Sequence, residues 1–143
     1  MLRAAVAADQ ASIRSLIYEG RINPFGLHWP NFVVATDENS DVIGVGQLKP
    51  HRGGLVELAS IAVRPAYRGQ RVAERLITHL LAQAPRPVWL MCAQRLTPFY
   101  ARFGFVEVVS PSHMPTYYRR IKRVSLLVSC FSASGLAIMV KRE

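Results

Sequence analysis

Residues 55–84, LVELASIAVRPAYRGQRVAERLITHLLAQA, constrain the fold of this chain more than any other stretch. An alternating apolar run ends at Val63, and apolar residues then recur at Val72, Leu76, Ile77, Leu80 and Leu81, the spacing of one helix face. The stretch reads as a central strand, a sharp turn and an amphipathic helix. The turn, Arg68-Gly69-Gln70-Arg71-Val72-Ala73, stands where the helix begins. A helix start presents backbone N–H groups with no internal partner, together with the positive end of the helix dipole. Small residues let an anion approach that backbone closely, and phosphate suits such a site. The turn therefore predicts a phosphate-bearing ligand, with a substrate site beside it.

The segments on either side predict strands and helices in alternation. Residues 2–6 read as a strand, and Asp9 as the N-cap of a helix over 10–19 that ends at Gly20. The loop 21–30 has turn signals at Asn23-Pro24 and Trp29-Pro30. Its Phe25, Leu27, His28 and Trp29 either pack over the core or line a pocket. Strands over 31–36 and 42–48 flank the polar turn Asp37-Glu38-Asn39-Ser40. Gly44 and Gly46 mark a bulge or a close approach in the second of them. His51-Arg52-Gly53-Gly54 then turns the chain into the strand 55–63, which completes an antiparallel meander.

Pro85 and Pro87 close the helix, and residues 88–92 are apolar at nearly every position, as in a strand buried on both faces. A strand, a crossover helix and a second strand predict a parallel pair. Thr97-Pro98 opens a short helix, with Thr97 as N-cap and Gly104 at its end. A strand over 105–109, a loop over 111–115, a helix from 117 to about 132 and a strand over 136–140 complete the chain. No repeat or linker divides it, so residues 1–143 are expected to form a single domain.

Charge decides which partners are worth considering. The net charge is +9, which fits a polyanion such as nucleic acid or a site for a small anion, yet no long Lys/Arg run is present. Residues 124–140 carry no charge, but the run is short for a membrane span and holds four serines before Gly135 in its middle. It is read as helix, turn and strand of the domain. Cys92 and Cys130 form no disulfide framework, which points to reduced thiols and a cytoplasmic setting. His28, His51, His79 and His113 show no metal spacing, so no metal is expected.

Taken together, the order of elements resembles the GCN5-related N-acetyltransferase (GNAT) superfamily. The resemblance is sharpest in Glu57–Leu81 and Leu96–Val106, and it is made specific by Ile61-Ala62-Val63-Arg64-Pro65-Ala66-Tyr67-Arg68-Gly69 and by Pro98-Phe99-Tyr100-Ala101-Arg102-Phe103-Gly104-Phe105. The family's pyrophosphate motif is Arg/Gln, two residues, Gly, any residue, then Gly/Ala. This chain matches at Arg68 and Ala73 and departs from it at Arg71, where the family has Gly. If the backbone there takes a positive φ, a non-glycine residue is strained; otherwise the guanidinium adds a phosphate contact.

The resemblance implies an α/β single-domain fold with a mixed, mostly antiparallel sheet of about six or seven strands, a splayed parallel pair and flanking helices. It implies acetyl-CoA as donor, with the pantetheine arm along the backbone of Ile61, Ala62 and Val63. The pyrophosphate would lie on the turn of Arg68, Gly69, Gln70, Arg71, Val72 and Ala73. It also implies a primary amine of a small molecule or peptide as acceptor, Glu57 as candidate base and Tyr100 as candidate acid. A homodimer is possible. Solvent-facing Glu57 and core-packed Tyr100 are the plainer readings of the same residues. An Asn that many relatives carry seven residues before the tyrosine is Ala93 here, and Cys92 reads as a buried strand-end thiol. The acceptor pocket is expected from 21–30, 48–54 and 110–118, the last supplying His113, Met114, Tyr117 and Tyr118. Arg119, Arg120, Lys122 and Arg123 form a solvated helix face or attract an acidic acceptor. Two other classes stay open: a non-catalytic acyl-CoA-binding or sensing domain, and a basic nucleic-acid binder.

Overall fold

The computed structural model describes residues 1–128 and 135–143. Their contacts fall into two compact units, Met1–Pro85 and Arg86–Glu143.

In the first unit, strands β1 (Leu2–Ala4), β2 (Phe32–Thr36), β3 (Val42–Pro50) and β4 (Val56–Val63) lie side by side in chain order, each antiparallel to the next. Helices α1 (Gln10–Glu19) and α2 (Val72–Gln83) cover the sheet. Because strand side chains alternate, β3 presents two different faces. Val45 belongs to a core with Ile13, Leu16 and Ile17 of α1, Phe32 and Val34 of β2, and Ala62 of β4. Gly44 and Gly46 point to the other face. A Cβ on Gly44 would stand 2.8 Å from Val72 Cγ1, and one on Gly46 3.0 Å from Leu80 Cδ1. Both glycines therefore mark the close approach of α2. The bulge expected in this strand lies at Ile43, since Ala35 pairs with Gly44 and Thr36 with Val42; a second bulge, with no sign in the sequence, lies at Ser60 and Ile61 of β4. Val45 pairs with Ala62 and Gln47 with Ala59, so three steps on β4 answer two on β3. Ser60 takes a left-handed backbone there (φ +59°).

Asp9 does not cap α1 with its side chain. A short 3-10 turn, Ala7–Asp9, precedes the helix, and Asp9 closes it by accepting from Val6 N at 2.8 Å. Arg3 of β1 grips the same carboxylate with both guanidinium nitrogens, at 2.7 and 3.0 Å. That fork holds the carboxyl of Asp9 below its ordinary range.

The second unit holds β5 (Val88–Ala93), α3 (Thr97–Ala101), β6 (Val106–Glu107), α4 (Thr116–Val128) and β7 (Leu136–Lys141). Its strands run in the order β5-β7-β6, with both pairs antiparallel. The strand expected over 105–109 shrinks to β6, followed by one more ladder bond from Val108 N to Ile138 O (2.8 Å). Thr97 lies inside α3 rather than capping it; its hydroxyl donates to Gln94 O at 3.0 Å. Residues 129–132 of the expected last helix, and Cys130 with them, lie outside the described residues.

Candidate active site

Local geometry explains why the turn after β4 is tight. Pro65–Tyr67 forms a 3-10 turn, and Gly69 and Arg71 both take left-handed backbone (φ +78° and +61°) before α2 starts at Val72. Nothing lies within 4 Å of a Cβ built on Gly69, so that glycine answers to the backbone conformation and not to crowding. Arg71 occupies the conformation that favours glycine, which resolves the sequence alternative on the side of strain. Arg68, Gly69, Gln70 and Arg71 are exposed, Val72 is buried beneath them and Ala73 is half-buried. Arg68 Nε donates to Val63 O at 3.3 Å, tying the turn to the end of β4. Tyr67 steadies the turn from the other side, donating its hydroxyl to Asp37 Oδ2 at 2.9 Å. This bond raises the phenol above its ordinary range. Exposed backbone at a helix start beside two arginines is chemically suited to a diphosphate.

Further back along β4, the backbone of Ile61, Ala62 and Val63 follows the bulge, with Ala62 buried and its neighbours half-buried. Ahead of the bulge stands Glu57, opposite Lys49 of β3. Its side chain is 1% exposed, so the solvent-facing reading does not hold. Glu57 Oε1 lies 3.0 Å from Nε2 of His51. His51 heads the Arg52–Gly54 turn, which closes through His51 N donating to Leu55 O at 2.8 Å. Among the described residues no donor reaches Glu57 Oε2.

The loop 21–30 divides between its two readings. Leu27 and Trp29 pack on the core cluster, whereas Phe25 is exposed. Three side chains pin this loop through its backbone. Gln10 Nε2 donates to Leu27 O (2.8 Å) while its Oε1 accepts from Trp29 N (3.1 Å). Gln47 Nε2 donates to Gly26 O (3.2 Å), and Lys49 Nζ to Phe25 O (3.0 Å). Sequence reasoning included His51 in the pocket stretch 48–54 without giving it a partner, and passed over Gln47. His51 reaches Glu57 from the turn, and only the pairing of β3 with β4 puts Gln47 on the face that carries Glu57.

In the second unit, Tyr100 sits half-buried on α3 within an aromatic cluster. Phe99 and Phe105 meet it edge-on at centroid distances of 5.1 and 6.2 Å. Burial pushes its phenol up to about 12, with the Cys92 thiol adding to the shift. Cys92 is itself buried, and burial followed by the Glu107 charge raises its thiol to about 11. A thiol held that high stays protonated and makes a poor nucleophile. Of the residues expected to line a pocket from 110–118, Met114 and Tyr118 are instead core: both are buried, and Tyr118 stacks on Trp89 at 5.7 Å. Burying the Tyr118 ring removes a large apolar area from water, which accounts for its place in the core. No group of three or more metal-ligating side chains occurs among the described residues, and no helix among them is long and apolar enough to cross a membrane.

Comparison with known proteins places this geometry. Among solved structures, the N-acetylglutamate synthase from Neisseria gonorrhoeae complexed with coenzyme A and N-acetyl-glutamate is similar at a TM-score of 0.77 and 20% identity, over 99% of this chain. The chain spans only 34% of that protein's length. Rv2747 from Mycobacterium tuberculosis, in complex with CoA and NLQ, is similar at a TM-score of 0.75 and 21% identity, over 100% of this chain and 99% of the other. An acetyltransferase of the GNAT family from Staphylococcus aureus Mu50 is similar at 0.71 and 12% identity, over 99% and 98% of the two chains. A search of curated proteins found no match. These likenesses show the fold. The family model described as "Acetyltransferase (GNAT) family" matches residues 7–105, well over half of the sequence, from the first compact unit into the start of the second. The chain belongs to the GNAT family of acetyltransferases.

Proposed function

We propose that the protein transfers an acetyl group from acetyl-CoA to a primary amine of a small molecule or peptide, within one domain formed by both units. The observation that carries this reading is Glu57: a buried carboxylate with one oxygen on His51 and no donor on the other among the described residues. A carboxylate so placed is suited to accept a proton from an ammonium group. The turn from Arg68 to Ala73 and the backbone of Ile61, Ala62 and Val63 would hold the donor, whose thioester supplies the acetyl group. Loss of a proton to Glu57 leaves the amine lone pair to form the new C–N bond as the C–S bond breaks. The Tyr100 hydroxyl, kept protonated by burial, would donate to the departing sulfur, and the second proton that the nitrogen sheds as the amide forms would restore the phenol.

Thiol release from acetyl-CoA over a panel of amino acids, polyamines and short peptides tests the reading. Amino acids lead the panel because the similar Neisseria protein carries N-acetyl-glutamate in its structure. Glu57→Gln and Tyr100→Phe are each expected to lower kcat by roughly 10²–10⁴-fold, with coenzyme A affinity by calorimetry unchanged. No amine-dependent thiol release, or variants that keep the full rate, would overturn the assignment.

A further inference from the structure

Glu57 is not alone on its strand face. Gln47 of β3 pairs with Ala59 and Lys49 with Glu57, so Gln47 and Glu57 lie on the same side of the sheet, one alternation apart. Gln47 is 0% exposed. Its amide is held at the nitrogen end, with Nε2 donating to Gly26 O at 3.2 Å and to Ser60 Oγ at 2.9 Å. A peptide carbonyl such as Gly26 O can only accept, so it fixes which end of the amide is nitrogen. The bulge contributes as well, since the left-handed backbone of Ser60 accompanies the hydroxyl contact that locks Gln47. With Nε2 occupied twice, Gln47 Oε1 is left with no donor among the described residues.

Two buried oxygens on one face therefore lack donors: Oε1 of Gln47 and Oε2 of Glu57. Buried acceptors are normally satisfied, and each that is not costs free energy. Both side chains are anchored through their other polar atom, one by Gly26 and Ser60, the other by His51. An isolated defect would leave one such atom at random. Two anchored acceptors on adjacent strands fit a ligand group that carries several N–H donors.

We propose that Gln47 is a second acceptor-binding residue, and that Gln47 Oε1 and Glu57 Oε2 together receive N–H donors of the acceptor's primary ammonium group. This rests on the reading of Glu57 given above and adds a reason for selectivity. A primary ammonium offers three N–H donors. Two go to these oxygens, and the proton passed to Glu57 leaves Gln47 still holding one N–H of the neutral amine. That bond fixes the direction of the lone pair. A tertiary amine, with one N–H when protonated, cannot satisfy both oxygens.

The test uses the full chain, acetyl-CoA and the best primary amine from the amino-acid and polyamine panel. Gln47→Leu keeps the side-chain volume and removes the oxygen. It is expected to raise KM for the amine roughly ten- to a hundredfold, the loss of one charge-assisted hydrogen bond, with KM for acetyl-CoA unchanged. Ser60→Gly suits the positive φ and removes the hydroxyl that locks Gln47, so it serves as a second variant with an undisturbed fold. It is expected to raise KM for the amine by a smaller factor in the same direction. An unchanged KM for the amine in both variants, with wild-type transfer intact, would overturn the role of Gln47 alone. Failure of the wild-type chain to acetylate any amine would overturn the Glu57 reading, and this inference with it.

Discussion

At the scale of single residues, Arg71 is the clearest case of a side chain at odds with its backbone. Its φ of +61° is a glycine conformation, and an L side chain there costs about 1–2 kcal/mol. Replacing it separates two roles that the motif combines. Arg71→Gly is expected to raise stability by about 1 kcal/mol in denaturant unfolding, whereas Arg71→Ala leaves the strain in place. Both variants lose the guanidinium, so both are expected to bind coenzyme A more weakly by the same factor in calorimetry. Unequal losses would mean that the backbone, not the charge, governs the turn. Tyr100 makes a different point. A phenol raised to about 12 favours its neutral form and stays a donor at all lower pH. The rate deficit of Tyr100→Phe is therefore expected to keep its size from about pH 6 to about pH 11, past the point near pH 10 where an ordinary tyrosine ionises. None of this was legible as a single answer in the sequence. Arg71 announced a conflict, and only its φ decided which side of the conflict the chain takes.

At the scale of elements, most of the fold could be read in advance because it is written in periodicity. The expected helix 10–19 agrees with α1, and the strands 42–48 and 55–63 differ from β3 and β4 only at their ends. Capping was harder to read, since Asp9 and Thr97 have the right chemistry for an N-cap and use it elsewhere. The antiparallel order of β2, β3 and β4 was readable as a meander, but its register was not. The contact between Gln47 and Ser60 depends on a bulge that no residue pattern announces, and Gln47 gained its significance only from that contact. The glycines of β3 carry the element-level prediction. A Cβ on Gly46 would stand 2.6 Å from Ile61 Cδ1 and 3.0 Å from Leu80 Cδ1. Gly46→Val is thus expected to push α2 off the sheet and to cost roughly 1–3 kcal/mol in urea unfolding. A variant as stable as wild type would show that α2 has slack against β3.

At the scale of the whole molecule, the net charge of +9 has two explanations that salt can separate. A nucleic-acid binder neutralising six to ten phosphates loses roughly 10³–10⁵ in affinity between about 50 and 200 mM salt. A small anionic donor held at one turn engages far fewer phosphates. Coenzyme A affinity is expected to fall by no more than about tenfold over that range, and no duplex or single-strand binding is expected at physiological salt. Tight nucleic-acid binding with the steep dependence would reopen the other class. Arg119, Arg120 and Arg123 of α4 are exposed and supply part of this charge. The family match ends at residue 105, so these arginines lie beyond it.

The bulge in β4 also sets a reading frame. Ahead of it Glu57 and Ala59 share the face of Gln47; beyond it Ala62 does, although parity alone would have chosen Ile61 and Val63. One inserted residue thus keeps the acidic group and the apolar core on the same side while the count between them is odd. Loss of Ser60 would act on this strand as a frameshift acts on a message. Every position before it would slip by one, and the carboxylate of Glu57 would exchange faces with the buried Leu58. Loop lengths in such a chain can drift with little effect, but at this place the number of residues is itself a functional quantity.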